Sequence, residues 1–238
     1  MRAAALLVLA AACGTTPPTT QTESTESLVQ KIVAARERMH SRYTAVAAMQ
    51  RAIGIGDLDR ARAEAIRVEL ADEPDFLPEW RPYLDAIRRD AGQVAASTDT
   101  MTAARTMAQL GRSCARCHEA TQAKITFPRE RIPSANEMAS HQWASARMWE
   151  GIIASADDRW RVGARMLAGA RLTPFAESGE LGIADDAARA KLLARRAIHL
   201  GDHDQRANLY GELLATCAHC HATIRDRVLH PQAAQLER

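Results

Sequence analysis

Two five-residue stretches carry the reactive chemistry of this chain: Cys114-Ala115-Arg116-Cys117-His118 and Cys217-Ala218-His219-Cys220-His221. Each is a C-x-x-C-H motif. Thiols three residues apart lie on one side of a helical turn, so both can add to the two vinyl groups of a single porphyrin. The adjacent histidine is then held beneath the iron, which is the pattern of covalent c-type haem attachment. The fifth and last cysteine, Cys13, sits near the N-terminus, so no thiol is left over. Other uses fit less well. Zinc wants four convergent ligands, and these two pairs lie about a hundred residues apart. A thioredoxin-type pair needs a βαβ context that is missing here. Structural disulfides suit an oxidising compartment, but one closed within C-x-x-C is strained.

The elements that must position these motifs repeat. Residues 39–62 and 138–161, offset by 99, share nine identities in 24 positions without a gap, among them Met39 with Met138, Met49 with Met148 and Ile53 with Ile152. The motifs themselves are offset by 103, as are Asp99 with Asp202 and Leu110 with Leu213. The second copy is therefore expected to carry about one extra helical turn. Two copies of one module explain this economically. Each copy reads as four helices. In the first, Ser27-Leu28-Val29-Gln30 resembles a capping box and opens a helix to Gly54, where Gly54-Ile55-Gly56 stops it. Asp57 caps the next, to about Ala71. Pro74 and Pro78 mark a loop, a third helix spans about Trp80–Ala96, and a fourth runs from Asp99 into Cys114–His118. In the second copy Ser134-Ala135-Asn136-Glu137 is the capping box, with a helix to about Ser155. Asp157 or Asp158 caps the next, to about Gly169. Arg171–Ile183 is a loop, Ala184–Leu200 the third helix, and Asp202-His203-Asp204-Gln205 opens the fourth.

A C-x-x-C-H motif near the end of the fourth helix of a bundle resembles the cytochrome c′ and cytochrome c556 family, twice over and across most of the chain. The resemblance implies an all-α fold of two tandem four-helix-bundle modules. An up-down bundle puts the end of helix four beside the start of helix one, so the second face of each iron is expected to meet helix one. In six-coordinate relatives a methionine early in helix one binds the iron, whereas cytochrome c′ leaves that position open. Met39 and Met138, which coincide in the repeat, are the candidates; His40 and His141 are rivals that would need a gap to coincide. The site set is then Cys114, Cys117, Cys217 and Cys220 for attachment, with His118, His221, Met39 and Met138 on the metal. Met49 and Met148 also coincide but lie deeper. Any helical methionine can equally be core filler. His199, His203, His219 and His230 read as solvated or capping residues, and Trp80, Trp143, Trp149 and Trp160 as core or haem wall. Arg36 and Arg131 suit haem propionates but equally suit solvent.

Composition agrees. Aromatic residues are only 4% of the chain, while alanine and arginine, both strong helix formers, dominate. Two haems would supply large apolar groups for a core so poor in rings. The net charge of +2 and the lack of a Lys/Arg block exclude a nucleic-acid footprint. Met1-Arg2 followed by the short apolar run Ala3–Ala12 reads as a signal peptide, too short to span a bilayer. It ends at Leu9-Ala10-Ala11-Ala12-Cys13-Gly14, which resembles a bacterial lipobox with the bulky residue one place early. Cys13 would then be lipidated and become the mature N-terminus, and Gly14, not being acidic, favours the outer membrane. An ordinary cleaved signal peptide is the alternative. The Thr/Pro-rich stretch after it reads as a tether. The expected order is signal peptide 1–12, lipidated tether 13–26, haem module 27–122, linker 123–133, haem module 134–230 and tail 231–238. The expected function is periplasmic electron transfer between redox protein partners in the envelope, with membrane contact through the lipid only. The alternatives are a five-coordinate gas-binding protein and a dihaem peroxidase, for which no distal acid/base pair is evident.

Overall fold

In a computed structural model, residues 25–71, 77–128, 131–133, 137–170 and 183–229 are described. Cys13, the signal and tether up to residue 24, Ser134-Ala135-Asn136, most of both predicted loops, His230 and the tail lie outside them. The described residues are helical, without strands: α1 Thr25–Gly54, α2 Leu58–Glu69, a 3-10 turn Pro78–Trp80, α3 Arg81–Ala95, α4 Thr100–Ala120, α5 Glu137–Ile153, α6 Asp157–Gly169, α7 Ala184–Ala197 and α8 His203–Leu229. None of the described helices is long and apolar enough to cross a membrane.

Periodicity explains most of these helices. Along α1 the inward positions Ala35, Arg42, Val46, Met49 and Ile53 recur every three, four or seven residues, the spacing of one helical face. Burying side chains such as Met49 and Ile53, both at 0% exposure, contributes about 1.5–3 kcal/mol each. Asp57 caps α2 by accepting from the Arg60 amide. Asp99 and Asp202, the pair matched at offset 103, cap α4 and α8 in the same way, each accepting from a main-chain amide three residues on at 2.8 Å.

Two expectations change. α1 starts at Thr25, so Ser27 lies within its first turn and the helix reaches into the predicted tether. Asp157 does not cap α6; Ala156 holds the cap position without a side-chain bond, and the Asp157 carboxylate pairs instead with Arg206 at 2.6 Å and Arg161 at 3.0 Å. The position of the four additional residues of the second copy follows from matched burial. Buried Ile87, Ala91 and Val94 of α3 match buried Ala190, Ala194 and Ala197 of α7 at offset 103, while α5 still follows α1 at 99. The insertion therefore falls in the connection between α6 and α7.

Consecutive helices pack side by side in each half of the chain, and α4 and α8 pack against each other across the halves. That crossing is close because its residues are small: a side chain on Gly211 would meet the Arg105 backbone at 3.2 Å and the Ala108 Cβ at 3.3 Å. α5 also touches α4, and α1 also touches α8. One continuous apolar core results, running from Val46 and Met107 to Trp160 and Leu213. Polar groups pin it. Gln50 Nε2 donates to the Tyr210 hydroxyl at 2.9 Å and to Ser145 Oγ at 3.0 Å. The Glu150 carboxylate, only 3% exposed, takes Arg147 at 2.6 Å and Arg159 at 2.5 Å and accepts from the Tyr43 hydroxyl at 3.3 Å.

Candidate functional site

The first motif lies in the last turns of α4 and the second within α8, which continues two turns beyond it. The four motif cysteines are not joined in disulfides. Burial pushes the Cys114 thiol up to about 12, against the opposing pull of Arg42. Burial likewise pushes Cys217 up to about 12, with Cys220 and Asp186 adding to it. Cys117 and Cys220 are raised for the same reason to a lesser extent.

Both motif histidines are held by main-chain carbonyls. His118 Nδ1 is 2.7 Å from the Ile153 oxygen and His221 Nδ1 is 2.6 Å from the Gly54 oxygen. A carbonyl only accepts, so each Nδ1 carries the proton and donates. Burial, with Arg42 assisting, holds His118 below the ordinary histidine range despite the carbonyl's opposing effect, so its ring is neutral and Nε2 keeps its lone pair. A neutral imidazole fixed in one tautomer by its other nitrogen is the usual preparation of a metal ligand.

What faces the two rings differs. Met138, at the start of α5, places its Sδ 3.5 Å from His221 Nε2. Met39, its counterpart on α1, packs against Ala35, Leu84 and Trp80, and its Sδ accepts from Arg42 Nη1 at 3.6 Å. His40 is exposed on α1, and His141 is half-buried one turn along α5 from Met138. Met49 and Met148 are fully buried core residues, as are Trp149 and Trp160. His219 is exposed and bonded to Asp186 at 2.7 Å; His199, Arg36 and Arg131 are exposed as well.

Charge separates the sites further. Buried Arg42 stands by Cys114 and Cys117, whereas Asp186 stands by Cys217 and Cys220. Arg42 also lines, with Arg38, Glu64 and Arg67, a cleft of about 400 Å³ between α1 and α2. Sequence reasoning missed both residues. A signal existed for Arg42, which occupies a position in the otherwise apolar stripe of α1.

The donors fit a covalently held haem: paired thiols one helical turn apart, an imidazole presenting a free Nε2, and in the second site a thioether opposite it. Among the described residues, no three His, Cys, Asp or Glu side chains gather into a metal-holding group, and a porphyrin iron, which needs one or two axial donors, does not ask for one. No known family, curated protein or solved structure matches the chain.

Proposed function

We propose that this chain is an exported, lipid-anchored dihaem c-type cytochrome, made of two four-helix modules of the cytochrome c′/c556 kind, that carries electrons between protein partners in the cell envelope. The observation that carries the reading is the orientation of His118 and His221. Each follows a pair of cysteines on the same helix, and each is pinned through Nδ1 so that Nε2 is the donor. Cys114 and Cys117, and likewise Cys217 and Cys220, would each hold one porphyrin, their S–H groups adding across its two vinyl double bonds to give thioethers with no atom lost.

Haem held there supplies a one-electron iron centre. The chain does the rest. His118 and His221 would hold the metals through Nε2, and Met138, whose Sδ lies 3.5 Å from His221 Nε2, would stand opposite His221 at the second. A thioether there would leave no place for a substrate at the second iron, which favours a carrier over an enzyme. The tether after Cys13 would let the domain swing between membrane-side and soluble partners.

A second reading holds for the first site alone. Met39 Sδ is engaged by Arg42, which favours an iron there that His118 alone ligates and that is open to a small gas. The test is the intact mass of chain matured in cells with working haem-attachment machinery, followed by oxidised, reduced and carbon-monoxide spectra. Two haems with low-spin spectra support the carrier. One low-spin iron and one that binds carbon monoxide support the mixed reading, and a mass without haem sinks both.

A further inference from the structure

We infer that each motif histidine is positioned by the other repeat, so that neither site is complete without the opposite half of the chain; as a statement about iron ligands this rests on the haem reading above. The argument starts at the ends of α1 and α5, which stop in the same way. Gly56 takes a left-handed turn at φ +74° and Ser155, its counterpart at offset 99, does so at φ +50°. After these turns, Gly56 N donates to Ile53 O and Asp57 N to Ala52 O, while Ser155 N donates to Ile152 O and Ala156 N to Gly151 O. This is the Schellman closure of a helix C-terminus. It satisfies those carbonyls and leaves the next one along, Gly54 O or Ile153 O, facing outward.

The opposite repeat takes it. His221 belongs to the second copy and bonds Gly54 of the first; His118 belongs to the first and bonds Ile153 of the second. Gly54 and Ile153 are themselves counterparts at offset 99, so the exchange is reciprocal. Neighbouring contacts repeat it. Arg225 Nη2 of α8 donates to Gly56 O at 3.2 Å, and a Cβ at Gly56 would lie 3.1 Å from Ala218 O within the second motif. On the other side, Ser155 Oγ donates to Glu119 Oε1 at 2.5 Å, next to His118. The exchange serves both sites: a firmer Nδ1–H···O bond makes the imidazole a stronger donor through Nε2, and here the firmness comes from the far half of the molecule.

The test uses the full chain and variants that touch no metal ligand. In Gly56→Ala, strain at a left-handed residue should loosen the end of α1. Amide exchange at 217–222 should then rise about tenfold, with 114–121 unchanged. In Ser155→Ala the pattern should invert, with 114–121 affected and 217–222 unchanged. In haem-bearing chain, Gly56→Ala should raise the potential of the second centre only, because a weaker histidine donor favours the reduced iron. Should Gly56→Ala fail to fold, Arg225→Gln removes one exposed donor from the same carbonyl cluster and should speed exchange at 54–58. Changes confined to the substituted half, or spread equally over both motifs, overturn the inference. Exchange is readable with or without haem, and intact mass reports haem separately, so failure of the exchange pattern in a two-haem chain condemns this inference and not the cytochrome reading.

Discussion

In chain folded without haem, Cys114 and Cys217 should resist alkylation. Only the thiolate attacks an alkylating reagent. Both thiols are pushed up to about 12, burial being the chief cause. At pH 8 a three-unit rise above an ordinary thiol lowers the thiolate fraction about a thousandfold. Arg42 tempers this at Cys114 without reversing it. The assay compares folded and urea-denatured chain treated with iodoacetamide and reads each cysteine by peptide mass. Cys114 and Cys217 should label about a thousandfold more slowly when folded, and Cys117 and Cys220, raised less, by a smaller factor. The folded state disfavours the thiolate, so stability is intact below the ordinary thiol range and is lost as pH climbs from there toward 12. On the haem reading, attachment would precede closure of the bundle, because a buried thiol that cannot ionise adds poorly to a vinyl group. Labelling of Cys114 and Cys217 within tenfold of the denatured rate would refute the burial on which this rests.

Met138→Ala should turn the second iron high-spin and carbon-monoxide-binding and remove a methionine-to-iron near-infrared band, while Met39→Ala leaves that band in place; the reverse result would reassign the ligand. Glu150→Gln removes the negative charge that Arg147 and Arg159 share at a site only 3% exposed, so unfolding should lose about 3 kcal/mol and the melting temperature fall by roughly 6–12 °C; a loss under about 1 kcal/mol would mean the cluster is solvated. Arg42→Gln removes a buried positive charge from beside the first motif and should lower that centre's potential while leaving the second unchanged, as redox titration would read. Cys13→Ser should move the chain from the membrane fraction to the soluble one, and persistence in membranes would exclude the lipid as its anchor.

Much of the architecture was legible because helices advertise themselves through side-chain periodicity. The stop at Gly54-Ile55-Gly56, the caps at Asp57, Asp99 and Asp202, and the course of the fourth helix through each motif all rest on local rules that packing did not override. The Asp157 cap was misread because a carboxylate at a helix start has two uses, and a buried arginine from α8 supplied the stronger one. The repeat was legible as identities, but the location of its insertion was not. Only matched burial in α3 and α7 shows that the offset changes between the second and third helices.

The candidate site divides along the same line. Cysteine and histidine spacing is written in side chains, so the two C-x-x-C-H motifs stand out from the chain alone. The groups that aim His118 and His221 are main-chain oxygens of Ile153 and Gly54, which any residue possesses and no composition betrays. The expectation that the end of helix four would meet the start of helix one of its own copy captured Met138 beside His221 and overlooked the end of helix one of the other copy. The small residues at the α4–α8 crossing are what bring that end within reach. Ala104 and Ala108 of α4 correspond at offset 103 to Ala207 and Gly211 of α8, so one repeat supplies both sides of a close crossing. A larger residue at Gly211 would press on Arg105 and Ala108 of α4. The two unequal sites, one beside Arg42 and one beside Asp186, thus each keep a separate histidine–carbonyl bond to the opposite repeat.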